Sequence, residues 1–324
     1  MTKSHFAMLA AIVSLGALSG YAAAQPYPSK PVRIIVSAAP GGPPDIRARW
    51  LAQRLSPALG QPIVVDNRPG AGGIIGTEAA ARSMADGHTI ALVTQGTLAI
   101  NPHIYSRLGY DALVDFAPIT RLSVNPFLLT VHPGIPANSV GELVKYAKLH
   151  PGQLNFGSDG IGTPPHVAGE LFKRAAEIDV IHVPYKSGPQ TVSDLISGRI
   201  AYTLDSLALL LPHASAGTIR ALAVTSPQRM AALPDIPTIA ESGLPGFAYF
   251  AWMGLAAPAG TPKDIVARLY GEIKSILRTP DARTWLAAQG AEPGGETPEE
   301  FASLLKAEHA QWGRVIREAG IKVE

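Results

Sequence analysis

The stretch that decides the fold covers residues 32–59 and reads VRIIVSAAPGGPPDIRARWLAQRLSPAL. Its first part, Val32–Ala38, is apolar and β-branched, which predicts a strand. Its last part, Ile46–Leu59, carries apolar residues at helical spacing, which predicts a helix. A turn rich in glycine and proline, Pro40–Pro44, joins them. Strand, tight turn and helix in this order predict the first half of a βαβ unit.

The same order recurs along the chain in two runs. The first run continues with a strand at Ile63–Val65, a Gly-rich loop at Asn67–Gly73, a helix at Ile74–Met84 and a strand at Thr89–Val93. The second run starts after Asn125-Pro126, with strands at Phe127–Val131 and Leu154–Phe156, a capping box at Ser139–Glu142 and a helix at His166–Ala175, and it ends near Val224. The alternation predicts two α/β units with mainly parallel sheets flanked by helices.

The end of the chain follows a different pattern. Thr261-Pro262, Thr279-Pro280 and Thr297-Pro298 each combine a capping residue with a proline that suits the first turn of a helix. We expect three helices here, capped by the threonines, that cover the sheet and add no further α/β repeat.

Composition excludes several classes of function. The 324 residues suffice for about two domains of ~150 residues. The 27 lysines and arginines are scattered among 25 aspartates and glutamates, so no basic patch points to nucleic acid. The lack of cysteine excludes disulfide scaffolds, thiol catalysis and Cys-based metal sites. The 32 glycines and 29 prolines lie between periodic apolar segments, which predicts an ordered chain with many turns.

Residues 1–24 have the pattern of a secretory signal peptide. Lys3 supplies the positive start, Phe6–Leu18 is an apolar core, and Ala22–Ala24 fits an A-x-A cleavage site. The apolar core is shorter than the ~20 residues that a membrane span needs. We expect cleavage after Ala24 and a mature protein in the periplasm that is not embedded in the membrane.

Motifs for catalysis and cofactors are missing. The nucleophile elbow G-x-S-x-G is absent, and Gly157–Gly160 only approaches it. The loop at Gly70–Gly76 lacks the third glycine of the dinucleotide fingerprint. His166 with Glu170 offers two ligands, whereas zinc needs at least three from the protein. We expect neither an enzyme nor a cofactor or metal, although a secreted serine hydrolase using Ser158 with His166 or His182 stays an alternative.

Three Gly-rich loops share one position in the pattern, at residues 40–44, 67–73 and 157–163. Each leads from the end of a strand to the start of a helix, which is where open α/β sheets bind ligands. Unpaired N–H groups and the dipole at a helix N-terminus favour anions. We therefore expect a ligand cleft between two lobes that closes by hinge motion, with residues 25–124 and 246–324 in the first lobe and residues 125–245 in the second.

An ordered set of short motifs resembles the extracytoplasmic solute-binding receptors of the tripartite tricarboxylate transporters, the Bug or TctC-like family. The resemblance spans essentially the whole mature chain. It is carried by Tyr27-Pro28, Lys30-Pro31, Pro40-Gly41-Gly42 with Asp45, Ala48-Arg49, Val65–Gly73 with Gly76, Asp86–Thr89, Asn101-Pro102, Gly160–Thr163, His166, Glu170–Phe172, His182–Lys186, Gly198, Asp205 and Ala257–Pro262.

The resemblance implies a two-lobed periplasmic-binding-protein fold of type II-like form, with the ligand in the cleft between lobes. It implies capture of a small organic acid by backbone amides at Gly41-Gly42 and at Ser158–Thr163, and delivery to the membrane permease subunits of a tripartite carrier. We expect a monomer. A subunit that senses the ligand for a signalling system is an alternative that the sequence does not separate from transport.

Eleven residues form the predicted ligand site: Gly41, Gly42, Asp45, Thr94 and Gln95 in the first lobe, and Ser158, Gly160, Gly162, Thr163, His166 and Asp205 in the second. Asp205 either recognises a hydroxyl or ammonium group of the ligand or caps the helix that starts at Ser206. Phe127 and Trp252 are expected to pack in the core rather than against the ligand.

Pro43 and Pro44 depart from the family pattern, and because proline has no N–H, this loop offers fewer donors. The segment Tyr185–Gln190 is one residue shorter than usual.

Overall fold

A computed structural model describes residues 27–230 and 233–319. The predicted signal peptide, residues 1–24, lies outside the described residues. The strands are β1 (Val32–Val36), β2 (Ile63–Asn67), β3 (Thr89–Thr94), β4 (Phe116–Val131), β5 (Asn155–Ser158), β6 (Ile181–Pro184), β7 (Tyr202–Ser206), β8 (Arg220–Val224), β9 (Phe250–Pro258) and β10 (Glu292–Pro293).

The α-helices are α1 (Pro43–Leu59), α2 (Ile74–Ala81), α3 (Asn101–Ile104), α4 (Val140–Leu149), α5 (Pro164–Ala176), α6 (Gly188–Ile196), α7 (Leu207–Ser215), α8 (Lys263–Leu277), α9 (Pro280–Ala288) and α10 (Pro298–Ala319). A 3₁₀ turn at Ala71–Gly73 and a π-helical segment at Gly96–Ile100 complete the regular structure. Within the described ranges, no helix combines the length and the apolar character needed to cross a membrane.

The stretch at residues 32–59 folds as a strand, a turn and a helix, as predicted. Along β1, Val32, Ile34 and Val36 pack in one apolar cluster with the buried face of α1, whereas Ile35 joins a second cluster on the other face. Alternate residues of a strand point to opposite faces, so β1 is covered on both sides. Helix α1 begins at Pro43, three residues before the expected start.

The strands form one continuous, mixed sheet in the order β2-β1-β3-β9-β4-β7-β5-β6, with β8 and β10 also paired to β4. β1 lies parallel to β2 and β3, and β5 lies parallel to β6 and β7, which confirms two parallel α/β units. The sheet as a whole is mixed because β9 runs antiparallel to β3 and β4, and β4 runs antiparallel to β7 and β8.

Strand β4 belongs to both halves of the molecule. Its residues 116–126 pair with β9, and its residues 127–131 pair with β7 and β8. The first half therefore contains β1–β3 and β9, and the second contains β5–β8. The carboxyl ends of β3, β5 and β7 meet near the point where β4 passes from one half to the other.

Helix caps agree with the sequence at three of the four predicted positions. Ser139 and Thr279 accept the N–H groups of Glu142 and Ala282 at 3.2 Å each. Thr297 accepts the N–H of Glu300 at 3.2 Å, and this side chain returns a bond to the Thr297 N–H at 2.8 Å.

The fourth prediction, a cap at Thr261, is wrong. Pro262 holds the N-cap position of α8. The Thr261 hydroxyl instead donates to the carbonyl of Pro258 at 2.7 Å, so it closes a turn at the end of β9.

Candidate functional site

A cavity of about 240 Å³ lies where the two halves meet. The first half supplies side chains from α1, β3 and β9, and the second supplies side chains from the ends of β5 and β7 and the starts of α5 and α7. The lining residues are Pro43, Pro44, Arg47, Thr94, Asn125, Phe127, Asp159, Pro164, Pro165, Asp205, Ser206, Ala208, Ala251, Trp252, Met253, Gln289 and Gly290. Most of the wall is apolar, with a few polar groups that converge on the same space, which is the usual make-up of a small-molecule site.

Arg47 is the cation of this cavity. It is 5% exposed, and its Nη2 donates to Asn125 Oδ1 at 2.8 Å while its Nη1 lies 3.5 Å from Met253 Sδ. Its Nε has no hydrogen-bond partner among the described residues, and no described carboxylate lies within 4 Å of the guanidinium. Burial lowers the pKa of Arg47 to about 10, so the group stays charged at neutral pH.

The position of Arg47 follows from the spacing of α1. Arg47, Leu51 and Leu55 are four residues apart, so they lie on one face of the helix, and that face is buried. Arg47 was not among the predicted site residues. The available signal was this spacing, which places an arginine in line with the apolar residues instead of with the solvated face.

The predicted first loop uses its donors internally. The Gly41 N–H donates to Asp45 Oδ2 at 2.9 Å, and the Gly42 N–H points to the Ala39 carbonyl at 3.4 Å. Burial opposes ionisation of Asp45, but hydrogen bonds from Arg49 and Gly41 outweigh it and hold its pKa below the usual range. Pro43 and Pro44, not these three residues, line the cavity.

Thr94 is the last residue of β3 and Gln95 follows it, and of these two only Thr94 lines the cavity. The Thr94 hydroxyl accepts the N–H of Thr97 at 3.2 Å. The Gln95 amide is 1% exposed; its Nε2 donates to the carbonyl of Phe250 at 2.9 Å and to Glu308 Oε2 at 3.2 Å, and its Oε1 lies 3.0 Å from the Tyr249 hydroxyl. Gln95 therefore connects β9, α10 and Tyr249 behind the cavity wall.

The second predicted loop also binds several of its donors within the chain. The Gly160 N–H lies 3.3 Å from Ser158 Oγ, the Gly162 N–H donates to His166 Nδ1 at 3.0 Å, and the Thr163 hydroxyl donates to the Gly160 carbonyl at 2.8 Å. Gly162 adopts φ +78°, a conformation that side chains rarely permit. These bonds fix the loop so that Asp159 and Pro164 reach the cavity.

Ser158 and His182 are the pair on which hydrolase chemistry would depend. Ser158 Oγ lies 2.7 Å from His182 Nε2, but Ser158 is fully buried and neither residue lines the cavity. Burial, followed by the neighbouring His166, lowers the pKa of His182 to about 3, which makes it a weak general base at neutral pH. Its ring stacks on His166 with centroids 3.9 Å apart. The pair has the environment of a packed core, not of a nucleophile open to substrate.

Asp205 lies directly before the N-cap residue of α7 and in the wall of the cavity. Its Oδ1 accepts the N–H of Ser206, the N-cap residue of α7, and the residue lines the cavity with its Oδ2 unpartnered among the described residues. Burial raises the pKa of Asp205 well above the usual range, and the charge of Asp159 raises it further. Asp159 lies in the same wall and was not among the predicted site residues.

Phe127 and Trp252 combine core packing with a place in the cavity wall. They are 3% and 1% exposed, and both line the cavity. Trp252 Nε1 donates to Glu308 Oε2 at 2.7 Å, which fixes the indole ring. Phe127 and Trp252 therefore give the cavity a rigid aromatic wall.

The sequence of this chain is similar to those of a known protein family. Residues 47–321 match the family described as tripartite tricarboxylate transporter family receptor, TctC. Protein BugT of Bordetella pertussis (strain Tohama I) is 34% identical over 319 residues, which cover 98% of each chain.

Two solved structures are similar over most of their length. R. palustris Rpa4515 with adipate shares 38% identity at a TM-score of 0.84, covering 92% of this chain and 100% of that one. MatC (Rpa3494) from Rhodopseudomonas palustris with bound malate shares 32% identity at a TM-score of 0.79, covering 90% of this chain and 100% of that one. With its two-unit α/β fold and its central cavity, this chain belongs to the TctC/Bug family of solute-binding receptors.

Proposed function

We propose that this chain is a periplasmic receptor that captures a small organic acid in the cavity between its two halves and delivers it to the membrane permease of a tripartite carrier. It binds without chemistry, as a monomer. Its lobes comprise residues 25–124 with 246–324, and residues 125–245. The adipate and malate in the structures of two relatives support a carboxylate as ligand.

Arg47 is the single observation that carries the proposal. A buried guanidinium without a carboxylate partner pays a desolvation cost that a bound anion can offset. Its planar donors match a carboxylate, and Asn125 holds it in place at 2.8 Å. We therefore propose that the ligand carboxylate binds Arg47, because the N–H groups of Gly41, Gly42, Gly160 and Gly162 already have partners within the chain.

The remaining predicted residues receive supporting roles in this proposal. Thr94 and Asp205 face the ligand from the two sides of the cavity. Ser158, Thr163 and His166 stabilise the loop that carries Asp159. A secreted hydrolase is disfavoured by the complete burial of Ser158 and the low pKa of His182.

The test is a panel of mono-, di- and tricarboxylic acids, amino acids and aromatic acids, measured by calorimetry and thermal unfolding. A ligand at 100 times its Kd raises the free energy of unfolding by about 2.7 kcal/mol. Arg47→Met should weaken the binding of an active acid by about 10- to 100-fold, as expected for the loss of hydrogen bonds from a charged group.

Arg49→Met is the matched control, because Arg49 is on the same helix but half-exposed and paired with Asp45. It should bind like the unmodified protein. Binding of no acid at all, or full binding by Arg47→Met, would refute the proposal. Loss of solute uptake in a deletion strain supports transport, and unchanged uptake favours the sensing alternative.

A further inference from the structure

Two acidic side chains lie together in the wall of the cavity that also contains Arg47. Asp159 follows β5, and Asp205 is the second-last residue of β7. These strands are parallel neighbours that pair as far as Gly157 opposite Thr203, so both aspartates lie at the carboxyl end of this pair of strands. Both residues line the cavity.

Each of the two carboxyl groups has one buried oxygen without a hydrogen-bond partner among the described residues. Asp205 is 5% exposed, its Oδ2 has no hydrogen-bond partner among the described residues, and the same holds for Asp159 Oδ1. Arg47 shares the cavity, but no described ion pair joins it to either aspartate at 4 Å or less. Burial raises the pKa of both carboxyls, and the charge of Asp159 raises the pKa of Asp205 further.

A buried guanidinium and two buried carboxyl groups that share a cavity without touching leave room for a ligand that bridges them. A carboxylate satisfies Arg47, and a group that donates hydrogen bonds and carries positive charge satisfies the two aspartates. The rest of the cavity wall is mostly apolar, and Phe127 and Trp252 belong to it.

We propose that the cavity is selective for a zwitterion, an amino acid whose carboxylate binds Arg47 and whose ammonium group binds Asp159 and Asp205. This inference rests on the proposed function, since it assumes that an organic acid binds at Arg47. A dicarboxylate would place its second negative charge against the two aspartates, which costs binding energy unless both are protonated. The ligand class therefore differs from the adipate and malate of the two relatives.

The experiment compares ligands that differ only at the end facing the aspartates. For chains of four, five and six carbons, the unmodified protein is titrated with the plain alkanoate, the dicarboxylate, the ω-amino acid and the α-amino acid. At one chain length or more, an amino acid should bind about tenfold or more tightly than both the alkanoate and the dicarboxylate, as expected for a charge-assisted contact. Dicarboxylates that bind as tightly as the amino acids, or alkanoates that do, overturn the inference.

Variants of the two aspartates test whether these side chains cause the selectivity. Asp159→Asn and Asp205→Asn, singly and together, keep the side-chain shape and remove the charge, so they should lower the preference for the amino acid and improve binding of the dicarboxylate. Asp235→Asn, at an exposed position outside the cavity, is the matched control and should change neither. Unchanged preference in folded Asp159→Asn and Asp205→Asn variants also overturns the inference.

The outcomes separate the two proposals. If acids bind through Arg47 but amino acids have no advantage, the zwitterion is excluded and the receptor for organic acids stands. If no carboxylic acid or amino acid binds, the proposed function fails and the inference fails with it.

Discussion

Arg47 donates a 2.8 Å hydrogen bond from Nη2 to Asn125 Oδ1, and the two residues come from different elements, helix α1 and strand β4. Asn125 also donates to the carbonyl of Ala251 at 3.3 Å, which ties its amide to β9. A neutral acceptor thus orients the guanidinium without cancelling its charge. The arrangement leaves Arg47 able to bind an anion.

Replacement of this acceptor by a carboxylate tests that reading. Asn125→Asp should pair with Arg47 and weaken the binding of an organic acid by about tenfold or more, because the charge is then neutralised within the protein. Asn125→Ala, which removes only the orienting bond, should cost less affinity. Calorimetry with one active acid measures both variants. Equal losses in the two variants would show that charge at this position does not control binding.

The Tyr249 hydroxyl connects the two halves behind the cavity. It lies 3.0 Å from Gln95 Oε1 in the first half and 3.1 Å from the Pro164 carbonyl at the start of α5. Tyr249→Phe should lower the free energy of unfolding by about 1–3 kcal/mol, because a buried acceptor loses its donor. Denaturant unfolding measures this change. Tyr146→Phe, in α4 away from the cavity, is the control, and a Tyr249→Phe protein as stable as this control would contradict the assignment.

The threonines before α8 and α10 should respond differently to removal of the hydroxyl. Thr297 caps α10, so Thr297→Ala should cost about 1 kcal/mol and Thr297→Ser much less. Thr261 is not a cap, so Thr261→Ala should leave hydrogen exchange in the first turn of α8 unchanged, although it removes the bond to the Pro258 carbonyl. Hydrogen exchange, measured for the first turn of each helix, distinguishes the two threonines. Faster exchange in the first turn of α10 is expected for Thr297→Ala, and unchanged exchange there would argue against the cap.

The stacked histidines should make stability depend on pH. Burial lowers the pKa of His166 to about 4 and that of His182 to about 3, below the ordinary value of 6.5. The unfolded chain therefore binds more protons than the folded protein between about pH 6.5 and 4. Each histidine then lowers the free energy of unfolding by up to about 1.4 kcal/mol per unit as the pH falls.

Denaturant unfolding across this window checks the expectation. Because other groups also titrate, the informative quantity is the slope of the unmodified protein minus that of His182→Asn. The slope of the unmodified protein should be steeper. Identical slopes would show that His182 does not resist protonation in the fold.

The sequence alone was sufficient for the α/β alternation, most helix caps and the family, because these depend on local periodicity, on turn residues and on short motifs in a fixed order. Strand β1, the turn at Pro40–Pro44 and helix α1 are encoded within 28 residues of each other. It also placed Thr94 and Asp205 correctly at strand ends that meet, since parallel strands bring their carboxyl ends to one edge.

Hydrogen bonds across loops could not be predicted in the same way. The sequence shows which backbone N–H groups exist near Gly41 and Gly160, but not that Asp45 and Ser158 fold back to engage them. Competition between a ligand and the protein's own acceptors depends on three-dimensional distances. These distances cannot be read from residue type and spacing.

The sequence by itself determined the class of this protein, an α/β receptor whose strand ends converge on a cleft. Only the tertiary structure decided which groups carry charge into that cleft. Arg47, Asp159 and Asp205 come from three segments far apart in the chain, and each looks ordinary in its own segment. Their chemistry arises because folding buries them together, and burial is a property of the packed molecule rather than of any stretch of residues.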